Sequence, residues 1–78
     1  MTETTPVVQL DCRGLTCPLP IYQSAEKLAQ MESGEILEVL GTDPNTKKEL
    51  EAFADREGHH FLGFEEDGEY SRYFIKKG

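Results

Sequence analysis

Cys17 stands in the run Cys17-Pro18-Leu19-Pro20, immediately before a stretch with helical spacing. A cysteine at a helix start has its thiolate stabilised by free backbone N–H groups and by the positive end of the helix dipole. The thiolate is the form that attacks electrophilic sulfur or carbon. Proline suits a first helical turn, where its missing N–H is no loss. With Cys17 as cap, Pro18 and Pro20 fall at the first and third helical positions, and the Leu19 N–H between them is left as a donor to the sulfur. The run reads as a reactive sulfur on a stiff support. A structural, buried cysteine is the plainer alternative, but a residue between Thr16 and Pro18 at a loop-to-helix junction belongs at the surface.

Other residues near Cys17 carry less specific signals. Arg13 is the nearest cation in sequence. It fits an anion-steadying group, a contact for an acidic partner, or a solvated loop charge. Gly14 suits a backbone turn that other residues resist, and Asp11 suits bracing of that turn by hydrogen bonds to the backbone. Leu15 and Leu19 flank the cysteine as an apolar pair suited to partner docking, although single surface leucines are common. Cys12 reads either as a resolving thiol for Cys17 or, more plainly, as a small semi-buried residue at a strand end. Cys12, Cys17, His59 and His60 lack the ligand spacing of a zinc site, so no metal is expected. His59 is expected to contact the end of a helix through its ring. The acidic Glu65-Glu66-Asp67 run with Glu69 reads as a solvated hairpin tip.

The elements that must position these residues follow from periodicity. Residues 1–6 are polar and are expected to be flexible. Val7 to Leu10 is expected as a strand and Asp11 to Thr16 as a loop. Pro18 to Met31 is expected as a helix with Ile21, Ala25 and Leu28 on its inner face. Glu35 to Leu40 follows as a strand. Asp43-Pro44 reads as a helix start with Asp43 as cap. Leu50, Phe53 and Ala54 give the second helix its inner face, and Gly58 its stop. His60 to Glu66 and Glu69 to Lys77 are expected as a hairpin turning at Asp67-Gly68. The β-α-β-α-β-β order gives an α/β (α+β) two-layer sandwich. Its four-stranded mixed sheet has a parallel first pair, an antiparallel last pair and two helices on one face.

The chain has 78 residues, of which 18 are Leu, Ile, Val or Phe. That content supports one small domain, over residues 7–78, with a shallow surface site and no large internal cavity. The net charge of −7 disfavours phosphate backbones, so no direct nucleic-acid binding is expected, and suits a partner with a basic surface. Two cysteines do not make a secreted disulfide framework. With no signal-like or membrane-spanning apolar run, the expected setting is a reducing cytoplasm.

The segment Leu10-Asp11-Cys12-Arg13-Gly14-Leu15-Thr16-Cys17-Pro18-Leu19-Pro20 resembles the signature of the TusA-like (SirA-type) sulfur-carrier family, Leu-Asp-x-x-Gly-Leu-x-Cys-Pro-x-Pro. The likeness continues through Gly34-Glu35-Ile36-Leu37-Glu38-Val39, Thr42-Asp43-Pro44, Gly58-His59 and Lys76-Lys77. It covers nearly the whole chain after residue 8. The resemblance implies the same sandwich fold. It also implies that Cys17 takes up sulfane sulfur as a persulfide and relays it to an acceptor protein. Donors implied are a cysteine desulfurase or a rhodanese-like protein, and no cofactor is implied. Relatives are associated with tRNA thiolation, cofactor maturation, sulfur oxidation and thiosulfate use, and the residues here select none of these. A carrier whose cysteine visits two partners suits a monomer. Two other readings stay open: a non-catalytic binding or regulatory module of the same fold, and a Cys12/Cys17 redox switch.

Overall fold

The computed structural model describes residues 8–16 and 18–78. The expected flexible segment 1–6, Val7 and Cys17 lie outside the described residues. The element order is β1 (Val8–Cys12), α1 (Leu19–Ala29), β2 (Ile36–Gly41), α2 (Thr46–Glu57), β3 (His60–Asp67) and β4 (Tyr70–Lys76). The four strands form one sheet in the order β1-β2-β4-β3. β1 runs parallel to β2, and the β2–β4 and β3–β4 pairs are antiparallel. This is the expected mixed sheet.

Strand alternation separates two faces. On β2, Leu37 and Val39 meet Ile75 and Tyr73 of β4 across the ladder. These four form a common core with Leu28 of α1 and Leu50, Phe53 and Ala54 of α2. Both helices therefore cover the same face of the sheet. The opposite face of β2 carries Ile36, Glu38 and Leu40, which the central position of the strand leaves nearly buried. A buried carboxylate needs partners. Glu38 accepts a hydrogen bond from Gln9 Nε2 at 3.1 Å and lies 3.3 Å from Arg72 Nη1.

Several boundaries differ from the sequence expectation. β1 runs two residues past Leu10, because Asp11 and Cys12 continue the parallel ladder opposite Leu40 and Gly41. α1 starts at Leu19 with Pro18 as its cap. Its most buried stripe is Pro20, Ser24 and Leu28, one step round the helix from the expected line, and Ile21 and Ala25 pack beside it. α2 starts at Thr46 and not at Pro44. Asp43 does not cap it from the adjacent position. Its carboxylate accepts the Asn45 N–H and its carbonyl accepts the Thr46 N–H, both within a turn that precedes the helix. Gly58 does end α2, in the left-handed conformation at φ 81°. β3 contains a bulge between Phe61 and Gly63 that leaves Leu62 exposed.

Leu50 is fully buried at the centre of the helical layer. Leu50→Ala is expected to destabilise the fold by about 3 kcal/mol, through lost transfer energy and the cavity left behind. Urea unfolding should show a lower midpoint at an unchanged slope.

Candidate functional site

Parallel β1 and β2 end side by side, so the β1–α1 and β2–α2 connections leave from the same edge of the sheet. Gly41 of β2 pairs with Ser71 near the start of β4, which brings the β3–β4 hairpin turn to that edge too. Open α/β sheets characteristically present their chemistry outside the carboxyl ends of parallel strands.

The β1–α1 connection is pinned through Arg13, Gly14, Leu15 and Thr16. The Leu15 N–H donates to the Cys12 carbonyl at 3.1 Å. Gly14 occupies the third position of that turn at φ 84°, a conformation that disfavours side chains. The Gly14 N–H donates to Thr42 Oγ1 at 2.9 Å, tying the connection to the β2–α2 loop. Arg13 holds Asp11 in a fork: Nε donates to Oδ1 and Nη2 to Oδ2, each at 2.9 Å, and the Arg13 backbone N–H adds a third bond to Oδ1. Asp11 thus braces the loop, as its residue type suggested. These bonds, the side-chain ones first, hold the Asp11 carboxyl down to about 2. The Arg13 guanidinium also lies 5.0 Å from the centre of the Tyr70 ring.

Downstream, the Leu19 N–H donates to the Thr16 carbonyl at 2.9 Å, closing a turn that brackets position 17. The expected donation from the Leu19 N–H to the Cys17 sulfur lies outside the described residues, and the partner described for that N–H is the Thr16 carbonyl. The Ile21 and Tyr22 N–H groups both donate to the Pro18 carbonyl at 3.1 Å, and Pro20 has none to give. The start of α1 thus offers its dipole more than its N–H bonds. No acidic side chain in its first turn offsets that positive end. Pro20 is buried, whereas Pro18 is exposed. Leu19 is 44% exposed, and Leu15 packs partly against the core, so the expected apolar docking pair is unequal.

Cys12 is fully buried in the core. Burial pushes its thiol above the ordinary value, and the Asp11 charge adds to the shift. A thiol sealed in this way is poorly suited to redox exchange. His59 meets α2 as expected, its ring 5.8 Å from that of Phe53, and its Nδ1 accepts the Gly78 N–H at 3.1 Å. Among the described residues, no group of three His, Cys, Asp or Glu is placed to hold a metal ion. No helix among the described residues is long and apolar enough to cross a membrane.

The family model for Sulfurtransferase TusA matches residues 8–77. The chain belongs to this family. It is 41% identical over 69 residues to the sulfur carrier protein TusA of Allochromatium vinosum, covering 88% of this chain and 91% of that protein. It is also 41% identical over 71 residues to the putative sulfur carrier protein YrkF of Bacillus subtilis, covering 91% of this chain but only 38% of that longer protein. The crystal structure of a SirA-like protein from Desulfitobacterium hafniense superimposes with a TM-score of 0.77 at 25% identity, covering 92% of this chain and 99% of the other. A role in sulfur carriage accords with this membership.

Two contributors to this edge were not singled out from sequence. Thr42 falls within the matched Thr42-Asp43-Pro44 segment, but its hydroxyl partner is 28 residues away. Tyr70 had no local signal beyond being a strand aromatic.

Asp11 should titrate near pH 2 by carboxyl-carbon NMR, and Arg13→Gln should return it toward the ordinary aspartate value. Because the folded value lies below the unfolded one, the stabilisation from Asp11 is complete above the unfolded value near 4 and is lost as pH falls toward 2. In the native chain, Cys12 should resist iodoacetamide and become alkylated only on unfolding, as read by peptide mass spectrometry.

Proposed function

We propose that the chain is a sulfur-relay protein in which Cys17 accepts sulfane sulfur as a persulfide and passes it to an acceptor protein. The observation that carries this reading is the Cys17-Pro18-Leu19-Pro20 run, at a helix start on the carboxyl edge of parallel strands, in a chain of the TusA family. The Cys17 thiolate attacks the outer sulfur of a donor persulfide. The donor's S–S bond breaks and its cysteine leaves as a thiolate, while the outer sulfur becomes bonded to Cys17. The acceptor thiolate then attacks that outer sulfur, and Cys17 leaves as a thiolate. Each step exchanges one S–S bond for another, so no external oxidant or reductant is consumed.

This chemistry needs no cofactor, metal or general base on the carrier. It needs access, a support that holds the sulfur, and an environment favourable to an anion. The positive end of α1 favours the anion, and the bonds on either side of position 17 limit the freedom of the support. We assign Pro18, Leu19, Pro20, Asp11, Arg13 and Gly14 to that support. Exposed Leu19, with Leu15 and Arg13 earlier in the same segment, is assigned to partner docking. The partners of this reading are a donor, such as a cysteine desulfurase or a rhodanese-like protein, and an acceptor with a basic surface, since the chain carries a net charge of −7. The sulfurtransferase acts with these proteins as a monomer in a reducing cytoplasm, without binding nucleic acid itself.

Cys17→Ser should abolish loading of labelled sulfane sulfur and the mass gain of one sulfur atom after exposure to a persulfide donor. Continued loading of the serine variant would sink the proposal.

A further inference from the structure

The β1–α1 connection is held by β1, by the β2–α2 loop and, less obviously, by the β3–β4 hairpin. Asp11 of β1 grips Arg13, and Thr42 takes the Gly14 N–H. The hairpin contributes Tyr70, whose ring lies 5.0 Å from the Arg13 guanidinium carbon. Tyr70 is half-buried. Its hydroxyl donates to Asp67 Oδ2 at 3.2 Å across the hairpin turn, which fixes the ring against its own strand end. The Asp11 fork orients the flat guanidinium, and an aromatic face beneath it is a favourable seat for that cation. Arg13 is thereby held between two elements that are separated in sequence by more than fifty residues.

We propose that Tyr70 is a positioning residue for the sulfur relay: its ring seats Arg13 and, through Arg13, steadies the connection that leads to Cys17. The inference rests on the sulfur-carrier reading for its purpose, although the clamp itself is a matter of geometry. The backbone bonds of Gly14, Leu15 and Leu19 shape the connection locally. The Arg13–Tyr70 contact adds a link from that connection to the hairpin. Without the ring, Arg13 keeps its carboxylate partner but loses its seat, and the reactive end of the loop samples more arrangements. A reaction that needs a linear approach of one sulfur to another is slowed by such spreading.

The test is the rate at which iodoacetamide alkylates Cys17 at a fixed neutral pH, read by peptide mass spectrometry in wild type, Tyr70→Leu, Tyr70→Phe, Arg13→Gln and the Tyr70→Leu/Arg13→Gln pair. Tyr70→Leu is expected to lower the rate about two- to fivefold, the factor corresponding to an exposed cation–π contact. Tyr70→Phe keeps the ring and should restore it. The pair should lose no more than the larger single loss, because both changes break one contact. Melting followed by circular dichroism checks that folding is retained. The proposal is overturned if Tyr70→Leu is unchanged or faster, if the phenylalanine variant is as slow as the leucine variant, if the two losses add, or if the rate falls only in step with the melting temperature. Alkylation requires no sulfur donor, so these results judge the clamp. Failure of wild type to load sulfane sulfur would instead judge the carrier reading.

Discussion

Parallel pairing of β1 with β2 is the constraint on which the arrangement depends. Five consecutive pairs, ending at Cys12 opposite Gly41, bring the two strands to a common edge. A parallel pair requires a crossover, and α1 provides it. The start of that helix, at Leu19, must then lie toward the edge where β1 and β2 end, the edge that the β2–α2 loop and the β3–β4 turn share. The fully buried Cys12 anchors the last rung of this ladder in the core. One cysteine thus ends the strand, and the other follows the loop that the strand releases.

The loop is organised by local and distant bonds of different kinds. A backbone turn over Cys12 to Leu15, a carboxylate–guanidinium fork and a threonine hydroxyl each remove freedom from a short segment. Individually these are modest interactions at a water-facing edge. Together they limit the ways in which the segment can rearrange without the rest of the sheet. A small domain has little interior, so this segment takes its order from the rim.

Much of the fold was legible because its signals are local. Leu50, Phe53 and Ala54 mark one helical face, and Gly58 marks a stop that requires a left-handed backbone. The alternation through Tyr73 and Ile75 marks a strand. The errors occur where non-local pairing or turn chemistry overrides a local cue. Asp11 and Cys12 look like loop residues until β2 is beside them. Asp43-Pro44 looks like a helix start, yet the Asp43 carboxylate is used one turn earlier, on Asn45. The proline spacing suggests Cys17 as cap, but α1 begins one residue later than that spacing implies, with Pro18 as its cap. At the site, the motif residues were visible from their types. Thr42 and Tyr70 were not, because each meets the loop only after the sheet has formed.

The bulge in β3 bears on how the molecule behaves among its neighbours. A straight outer strand leaves a row of unpaired amides and carbonyls that can capture another chain. Here the rim strand is interrupted between Phe61 and Gly63, and its far half carries Glu65, Glu66 and Asp67. Kinked backbone and like charges make that side a poor template for sheet extension.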